Sequence, residues 1–466
     1  MQRQSSSLRS SSLPSSSLRS SGLRSSSIWI VGILAGLLLL LVQATGALRA
    51  QSDDVLDNAY DHGFIAYSKT APTDPVARLQ RRIDSGEVTL DSEPRLGYLP
   101  AILRELNIPL TSQSLVFSKT SFQFTPIVPR RPRALYFNDD VYVGYVQGSR
   151  VLEFASVDPK LGAVFYTLDE EEKGPPRFQR EVYFCLICHD SSAITNGVPG
   201  FMTLSVLPDK EGNAIRSAPA NAMSDQTPFN ERWGGWYVTG THGTQRHRGN
   251  TIFPLGIPAL ERTDWSKGAN VATIDDKIDT ADYLTPHSDI VALIALTHQT
   301  RIHNLMTRAS YETQRAIRDE GNANGGLTQP GERYSGITAE RIRAAVEPLV
   351  RGMFFVNEAP LTDSVRGTSG FAADFEKGGV RDRKGRSLKN LDLRRRFLRY
   401  PLSYLIYSPA FDALPGAAKD FFYERAGMIL SGTSTADFGH LSTEDRAAIL
   451  EILVDTKPDF VRATRK

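Results

Sequence analysis

The two cysteines of this 466-residue chain lie three positions apart, as Cys185 and Cys188, and His189 follows them directly. Two cysteines cannot build a disulfide framework, which in small exported domains replaces a large core. The fold must therefore rely on buried apolar side chains. The composition permits this, because 41% of the residues are hydrophobic and 9% are aromatic, and the length suits two or three compact units.

The first 50 residues differ in composition from the rest of the chain. A serine-rich stretch with arginines and no acidic residue precedes an uncharged apolar run from Ile28 to Val42, and small residues follow at 44–47. This order is typical of an export signal. An uncleaved anchor is the alternative, because residues 44–48 extend the run towards the length that spans a bilayer. In either case we expect the remaining chain in the periplasm or on the outer face of the membrane.

The charge of the exported part excludes one class of partner. The formal net charge is +2 over the whole chain, but the leader has five arginines and no acid, so residues 51–466 carry −3. A region without net positive charge is not typical of a nucleic-acid-binding protein. We therefore expect no nucleic-acid partner, and contact with a membrane only through an N-terminal anchor.

The pattern along the chain predicts an α+β fold. Short runs rich in Val, Tyr and Phe, separated by turn residues, predict a β-meander of three or four strands over 134–168. Apolar spacing predicts helices over 289–318, 338–356 and 441–454, and another after the turn at 414–416. We expect a leader at 1–50, an N-terminal α+β region at 51–175, and a mainly α-helical region at 176–466 with a C-terminal helical extension.

Cys-x-x-Cys-His is the attachment signature of c-type haem. At the start of a helix, residues three apart lie on one side, so the sulfurs of Cys185 and Cys188 can reach both vinyl groups of one porphyrin and form thioethers. His189 then directs its imidazole at the iron as the proximal ligand. Thioether formation also removes both thiols from oxidation, which explains why they persist in an exported chain.

Two other uses of such a cysteine pair fit the sequence less well. A closed zinc site needs two further Cys or His ligands at short spacing, and no other cysteine is present. A thioredoxin-like dithiol is typical of a βαβ pattern, and none surrounds Cys185. The sequence also lacks a phosphate-binding loop, an HExxH motif and a GxSxG motif. The chemistry is thus concentrated at one covalent haem c and its iron.

Beyond this motif, the chain resembles large exported bacterial proteins that contain a single cytochrome c type motif followed by a GGWYVTG-type block. Here the block lies within Arg232 to Asn250, and the similarity runs from about residue 130 to the end. The resemblance implies that region 176–466 is a cytochrome c-like haem domain, and it implies haem c binding and electron transfer. It implies no substrate.

The ligand on the opposite face of the iron is left open by the sequence. A methionine raises the haem potential, a histidine lowers it, and an empty position permits small-molecule chemistry. Besides an empty position, the candidates are Met202, Met223, His242, His247 and His298. His303 points about 140° away from His298 on the same predicted helix, so the two cannot serve one face.

These observations predict an exported c-type cytochrome that transfers single electrons. The alternatives are a haem-dependent oxidoreductase or peroxidase with an open distal iron site, which the large size favours, and a haem-based ligand sensor. We expect a redox partner protein. Residues 376–399 contain ten Lys or Arg against three acids, which favours an acidic partner, with internal ion pairs as the alternative role of these charges.

Overall fold

The computed structural model describes residue 61 and residues 65–255, 260–323, 334–434 and 436–464. The predicted leader, with its apolar run from Ile28 to Val42, lies outside these ranges. Within them, none of the helices combines the length and the apolar character needed to cross a bilayer. Residues 60–466 form one compact unit, and the predicted boundary between residues 175 and 176 stays a prediction.

The front of this unit is a six-stranded antiparallel sheet in which each strand pairs with the next along the chain. Its strands are β1 (Ser114–Val116), β2 (Arg133–Phe137), β3 (Val141–Val146), β4 (Val151–Asp158), β5 (Gly162–Asp169) and β6 (Gln179–Glu181). Strands β2 to β5 confirm the predicted meander, whereas the two short edge strands were not predicted. The β4–β5 turn forms because Asp158 Oδ1 accepts hydrogen bonds from the backbone of Lys160 and Leu161, both at 2.8 Å.

The helices before residue 290 are short. They are α1 (Pro75–Asp84), α2 (Leu99–Glu105) and α3 (Leu186–His189), with 3₁₀ turns at Leu110–Ser112, Phe229–Glu231, Leu260–Arg262, Trp265–Gly268 and Thr280–Asp282. Between α3 and residue 290 the described strands are only β7 (Leu204–Ser205) and β8 (Asn221–Ala222). The long helices of the predicted helical region therefore begin at Ile290, well after residue 176.

The back of the unit is helical. It contains α4 (Ile290–Ala323), α5 (Gly336–Met353), α6 (Phe371–Lys377), α7 (Pro409–Asp412), α8 (Gly416–Leu430), α9 (Thr443–Thr456) and α10 (Pro458–Thr464), with a 3₁₀ turn at Tyr404–Tyr407. Helix α4 confirms the helix predicted over 289–318, and it packs against both α5 and β5. Strand and helix contents of this kind confirm the α+β class.

Two helix starts show how local chemistry sets the boundaries. Ser442 and Asp445 form a reciprocal capping box at the start of α9. Helix α5 begins two residues before the start predicted at 338. Its N-cap is Ser335, whose hydroxyl accepts a hydrogen bond from the Thr338 backbone, so Thr338 lies inside the helix.

Candidate functional site

The Cys-x-x-Cys-His segment forms the single helical turn α3, which follows edge strand β6 closely. Cys185 is its N-cap, and the Cys185 carbonyl accepts hydrogen bonds from the backbone of Cys188 at 3.2 Å and His189 at 2.9 Å. The turn therefore brings both cysteines to one side of the backbone. Both thiols are free; Cys185 is half-buried and Cys188 is exposed.

The His189 ring is oriented by a backbone carbonyl. Its Nδ1 lies 2.9 Å from the Gly200 carbonyl oxygen, and because a carbonyl can only accept, Nδ1 carries the proton. The lone pair is then on Nε2. Burial lowers the pKa of His189, which favours the neutral imidazole that binds metals. The ring also packs against Phe165 of β5, with centroids 4.6 Å apart.

Sequence reasoning missed the residues that position this carbonyl. The Asn304 side chain of α4 accepts a hydrogen bond from the Phe201 backbone at 2.7 Å and donates one to its carbonyl at 2.8 Å. A Cβ on Gly200 would lie 2.6 Å from Asn304 Oδ1, so only glycine fits there. Neither residue has a recognisable spacing from the motif, because the contact joins α4 to the loop after α3.

Large apolar side chains are exposed around the turn. Tyr183, Phe184 and Ile187 are 44%, 67% and 67% exposed, and Phe122 and Phe124, in the loop after β1, are 67% and 58% exposed. The Phe122 and Phe184 rings lie 6.4 Å apart. We call these five residues the apolar rim. Clustered exposed aromatic groups are unusual on a protein surface and mark a site that another apolar group covers.

The thiol chemistry does not fit a redox dithiol. Burial and, to a lesser extent, the nearby carboxylates of Glu181 and Glu153 raise the pKa of Cys185 to about 12. A nucleophilic first cysteine needs the opposite shift, towards the thiolate. The zinc alternative also lacks a ligand set, since no group of three or more His, Cys, Asp or Glu in the described ranges could hold a metal ion.

Two of the candidate distal histidines contact protein groups: His242 through hydrogen bonds at both ring nitrogens, and His298 through a hydrogen bond at Nε2 and an ion-pair distance at Nδ1. His242 Nδ1 lies 3.0 Å from the Gln245 carbonyl, and its Nε2 accepts from the Asn270 backbone at 3.1 Å. His298 Nε2 lies 2.9 Å from Ser403 Oγ, and its Nδ1 lies 3.5 Å from Asp225 Oδ2. Either histidine would have to break these contacts to bind iron.

His247 differs from both. It is 3% exposed, and neither ring nitrogen has a hydrogen-bond partner among the described residues. Burial lowers its pKa to about 3, and neighbouring His242 and Arg246 contribute to the shift. Its ring packs 5.5 Å from that of Trp233. A neutral imidazole with two unpaired nitrogens has the capacity to bind a further group.

The two candidate methionines lie at the ends of the small β7–β8 sheet. Met202 is half-buried and follows Phe201 directly. Met223 is buried, its backbone donates to the Thr203 carbonyl at 2.7 Å, and its sulfur accepts from the Trp233 backbone at 3.0 Å. The distal position stays open among Met202, Met223, the histidines above and an empty position.

The sequence predicts that His303 and His298 point in different directions. His303 contacts Tyr142 and Phe201, whereas His298 stacks on Phe355, so the two side chains do point in different directions.

Within the aromatic block at 232–250, Trp233, Trp236 and Tyr237 are buried and so belong to the core. Much of the basic segment is paired internally: Arg383–Asp455, Lys384–Glu451, Arg386–Asp382, Lys389–Asp139 and Arg396–Asp445.

Comparisons of this chain with protein-family models, with curated proteins and with solved structures find no match. The resemblance to single-haem cytochrome proteins therefore rests on the motifs quoted above. Any functional conclusion has to come from the chemistry of the α3 turn and its surroundings.

Proposed function

We propose that the protein is an exported c-type cytochrome that carries one covalent haem on Cys185 and Cys188, with His189 as an iron ligand, and transfers single electrons. The observation that carries this proposal is the α3 turn, with two free thiols on one side and a neutral imidazole whose Nδ1–H is held by the Gly200 carbonyl. A haem supplies reversible one-electron chemistry when bound. Region 176–466, which runs from just before α3 through the C-terminal helices, would then be a cytochrome c-like domain.

The surrounding residues have roles that fit such a group. The Gly200 carbonyl fixes the His189 tautomer and increases the basicity of Nε2, as the outer partners of metal-bound histidines usually do. The apolar rim provides aromatic and aliphatic surface beside the turn, and side chains of this kind keep water from the faces of a porphyrin. The donor set and its surroundings thus fit haem c.

The direct test is covalent attachment. We expect the protein purified from a host with a cytochrome c maturation system to stain for haem after denaturing electrophoresis. The C185A/C188A double variant should lose this signal completely, because no other cysteine can form a thioether. H440A is a matched control outside the motif and should keep full staining. Unstained wild-type protein, or a stained double variant, would refute the proposal.

The distal position decides between the electron carrier and the alternative functions. A spectrum of the reduced protein that does not change with carbon monoxide supports a six-coordinate electron carrier. A spectrum that shifts supports the oxidoreductase, peroxidase or ligand-sensor alternative. M202L, M223L, H242L, H247L and H298L, compared with one another, identify the ligand, because only its loss converts an inert iron to one that binds carbon monoxide.

The proposed setting is the periplasm or the outer face of the membrane, with any membrane contact through an N-terminal anchor. The proposed partner is a redox protein. Since much of the basic segment 376–399 is internally paired, an acidic partner would meet mainly the cations outside those pairs, such as Arg394. No nucleic-acid partner is proposed.

A further inference from the structure

A cavity of about 360 Å³ lies where the segment after α5 meets two other loops of the helical part. Residues of the cavity wall come from 355–360, 395–396 and 437–440, and none belongs to the α3 turn or its rim. We call it the Glu358 cavity, after its most buried carboxylate. Its volume is at the lower end of those that hold small molecules.

Two residues of the cavity wall have a backbone conformation that few residues other than glycine adopt. Phe355 has φ 54° and Asn357 has φ 64°, both in the left-handed region, which is costly for a bulky aromatic residue. The strain is held by packing, since the Phe355 ring stacks on His298 with centroids 4.2 Å apart and planes within 12°. Strained backbone kept in place by its surroundings is concentrated at functional sites.

Two guanidinium groups line the cavity. Arg396 is held by a bidentate pair with Asp445 at 2.8 and 3.0 Å, and its Nε is buried with no partner among the described residues. Arg395 is 71% exposed and makes a single 3.2 Å contact with Asp392. Arg396 is therefore fixed, whereas the Arg395 guanidinium can turn towards a ligand. A planar guanidinium can donate two parallel hydrogen bonds to a planar anion.

Glu358 faces these cations with one oxygen free. Its Oε1 accepts a hydrogen bond from the Phe397 backbone at 2.8 Å. Burial, with a smaller contribution from the Asp225 charge, raises the pKa of Glu358 to about 7, against the opposing effects of the Phe397 hydrogen bond, Arg232 and Arg396. Near neutral pH the carboxyl is thus protonated about half of the time and can donate a hydrogen bond.

The other titratable groups of the wall do not compete with Glu358. His440 donates from Nε2 to the Phe354 carbonyl at 2.7 Å, and burial lowers the pKa of His440, so it is neutral. Asp437 pairs with Arg351 at 2.8 Å. The cavity thus offers two cations and one carboxyl in its acid form.

We propose that the Glu358 cavity binds a small organic carboxylate, which accepts hydrogen bonds from the Arg395 guanidinium and from the Glu358 carboxyl, beside the Arg396 cation. A short charge-assisted O–H···O⁻ bond between an acid and a carboxylate is among the stronger hydrogen bonds in proteins. The apolar body of the ligand packs on Pro360, an exposed apolar surface that inorganic phosphate would leave unused. This site is independent of haem attachment at Cys185 and Cys188.

The test is calorimetric titration of the full-length protein with benzoate, acetate and inorganic phosphate. We expect benzoate to bind most tightly, and its affinity to fall about eightfold between pH 6.5 and pH 8 as Glu358 loses its proton. R395Q should weaken binding about tenfold or more, and the neighbouring R394Q, which is outside the cavity wall, is the matched control. E358Q should bind benzoate with no pH dependence in this range.

Three outcomes overturn the proposal: no binding of benzoate, phosphate binding as tight as benzoate, or a pH dependence that survives in E358Q. Equal effects of R395Q and R394Q would also contradict it. Benzoate affinity should be the same in C185A/C188A, so a failure of the haem proposal would leave this result intact. Circular dichroism of each variant shows whether a loss of binding is a loss of folding.

Discussion

The α3 turn and the Glu358 cavity are built by the chain in opposite ways. The three reactive groups of the turn lie within five consecutive residues, 185–189, and most of the side chains beside them are exposed. The cavity assembles three separate segments between residues 355 and 440, and the polar groups behind its wall are buried. The first region depends on local spacing, whereas the second depends on the whole tertiary structure.

This difference has an energetic consequence. Exposed side chains contribute little to stability, whereas removing one partner of a buried charged pair leaves an uncompensated charge in the interior. We therefore expect changes behind the cavity to affect unfolding and to leave haem attachment unchanged. Changes at the turn should do the reverse.

The largest effect is expected at Asp225. This residue is 5% exposed, accepts a hydrogen bond from Arg301 at 2.8 Å and provides a charge for the buried Arg232. D225N should lower the free energy of unfolding by about 3 to 5 kcal/mol, because it leaves these cations without their carboxylate. Urea denaturation measures this loss, and haem staining of the folded protein should be unchanged.

The matched control is an ion pair on the surface. Lys210 and Glu211 are 66% and 51% exposed and lie 3.6 Å apart. E211A should change the free energy of unfolding by less than about 0.5 kcal/mol. A D225N effect of the same small size would mean that the groups behind the cavity are not held by buried charge, and the contrast between the two regions would fail.

The part of the molecule that the sequence predicts well is the part with local causes. The four-stranded meander over 133–169, helix α4 and the Ser442 cap follow from alternation, apolar spacing and capping chemistry. The long irregular segment between α3 and α4 does not, because side-chain contacts distant in sequence hold it. Gln113, for example, donates from its side chain to the carbonyls of Thr285 and His287.

The same distinction applies to the sites. Cys185, Cys188 and His189 could be selected from the sequence because thioether attachment itself requires that spacing. Gly200 and Asn304 could not, since their roles depend on the approach of α4 to the loop after α3. Glu358 belongs to no motif. Only its burial near Asp225, Arg232 and Arg396 distinguishes it from other glutamates.

A second prediction concerns the pH dependence of stability. The pKa of Glu358 rises from its ordinary 4.5 to about 7 on folding, so between these values the native state holds a proton that the unfolded state has lost. Stability from this group is therefore complete below pH 4.5 and falls as pH rises through 7, by on the order of 3 kcal/mol.

The measurement is the difference in unfolding free energy between wild type and E358Q across pH 4.5 to 8. This subtraction removes the opposite contribution of His247, whose pKa of about 3 makes stability rise with pH up to about 6.5. A constant difference across the range would show that Glu358 titrates normally, and the cavity would then lose its acidic donor near neutral pH.

Asn304 links stability to the turn. N304A removes two hydrogen bonds to Phe201, which should cost about 1 to 3 kcal/mol, and it loosens the Gly200 carbonyl that holds His189. Because that carbonyl tunes the imidazole, the haem midpoint potential should shift as well. Q314A, which removes a side-chain bond on the same helix, is the control and should leave the potential unchanged. If Asn304 had only a structural role, N304A would lower the free energy of unfolding and leave the haem midpoint potential unchanged.

The smallest effect on stability is expected at the apolar rim. Ile187 is 67% exposed, so I187S should change the free energy of unfolding by less than about 0.5 kcal/mol. It should nevertheless lower the haem midpoint potential, because water beside the porphyrin stabilises the more positively charged oxidised iron. V454S removes a comparably apolar side chain, 48% exposed, from α9 and should change neither quantity. If I187S and V454S behave alike in redox titration, the rim does not cover the haem and its exposed aromatic groups require another occupant.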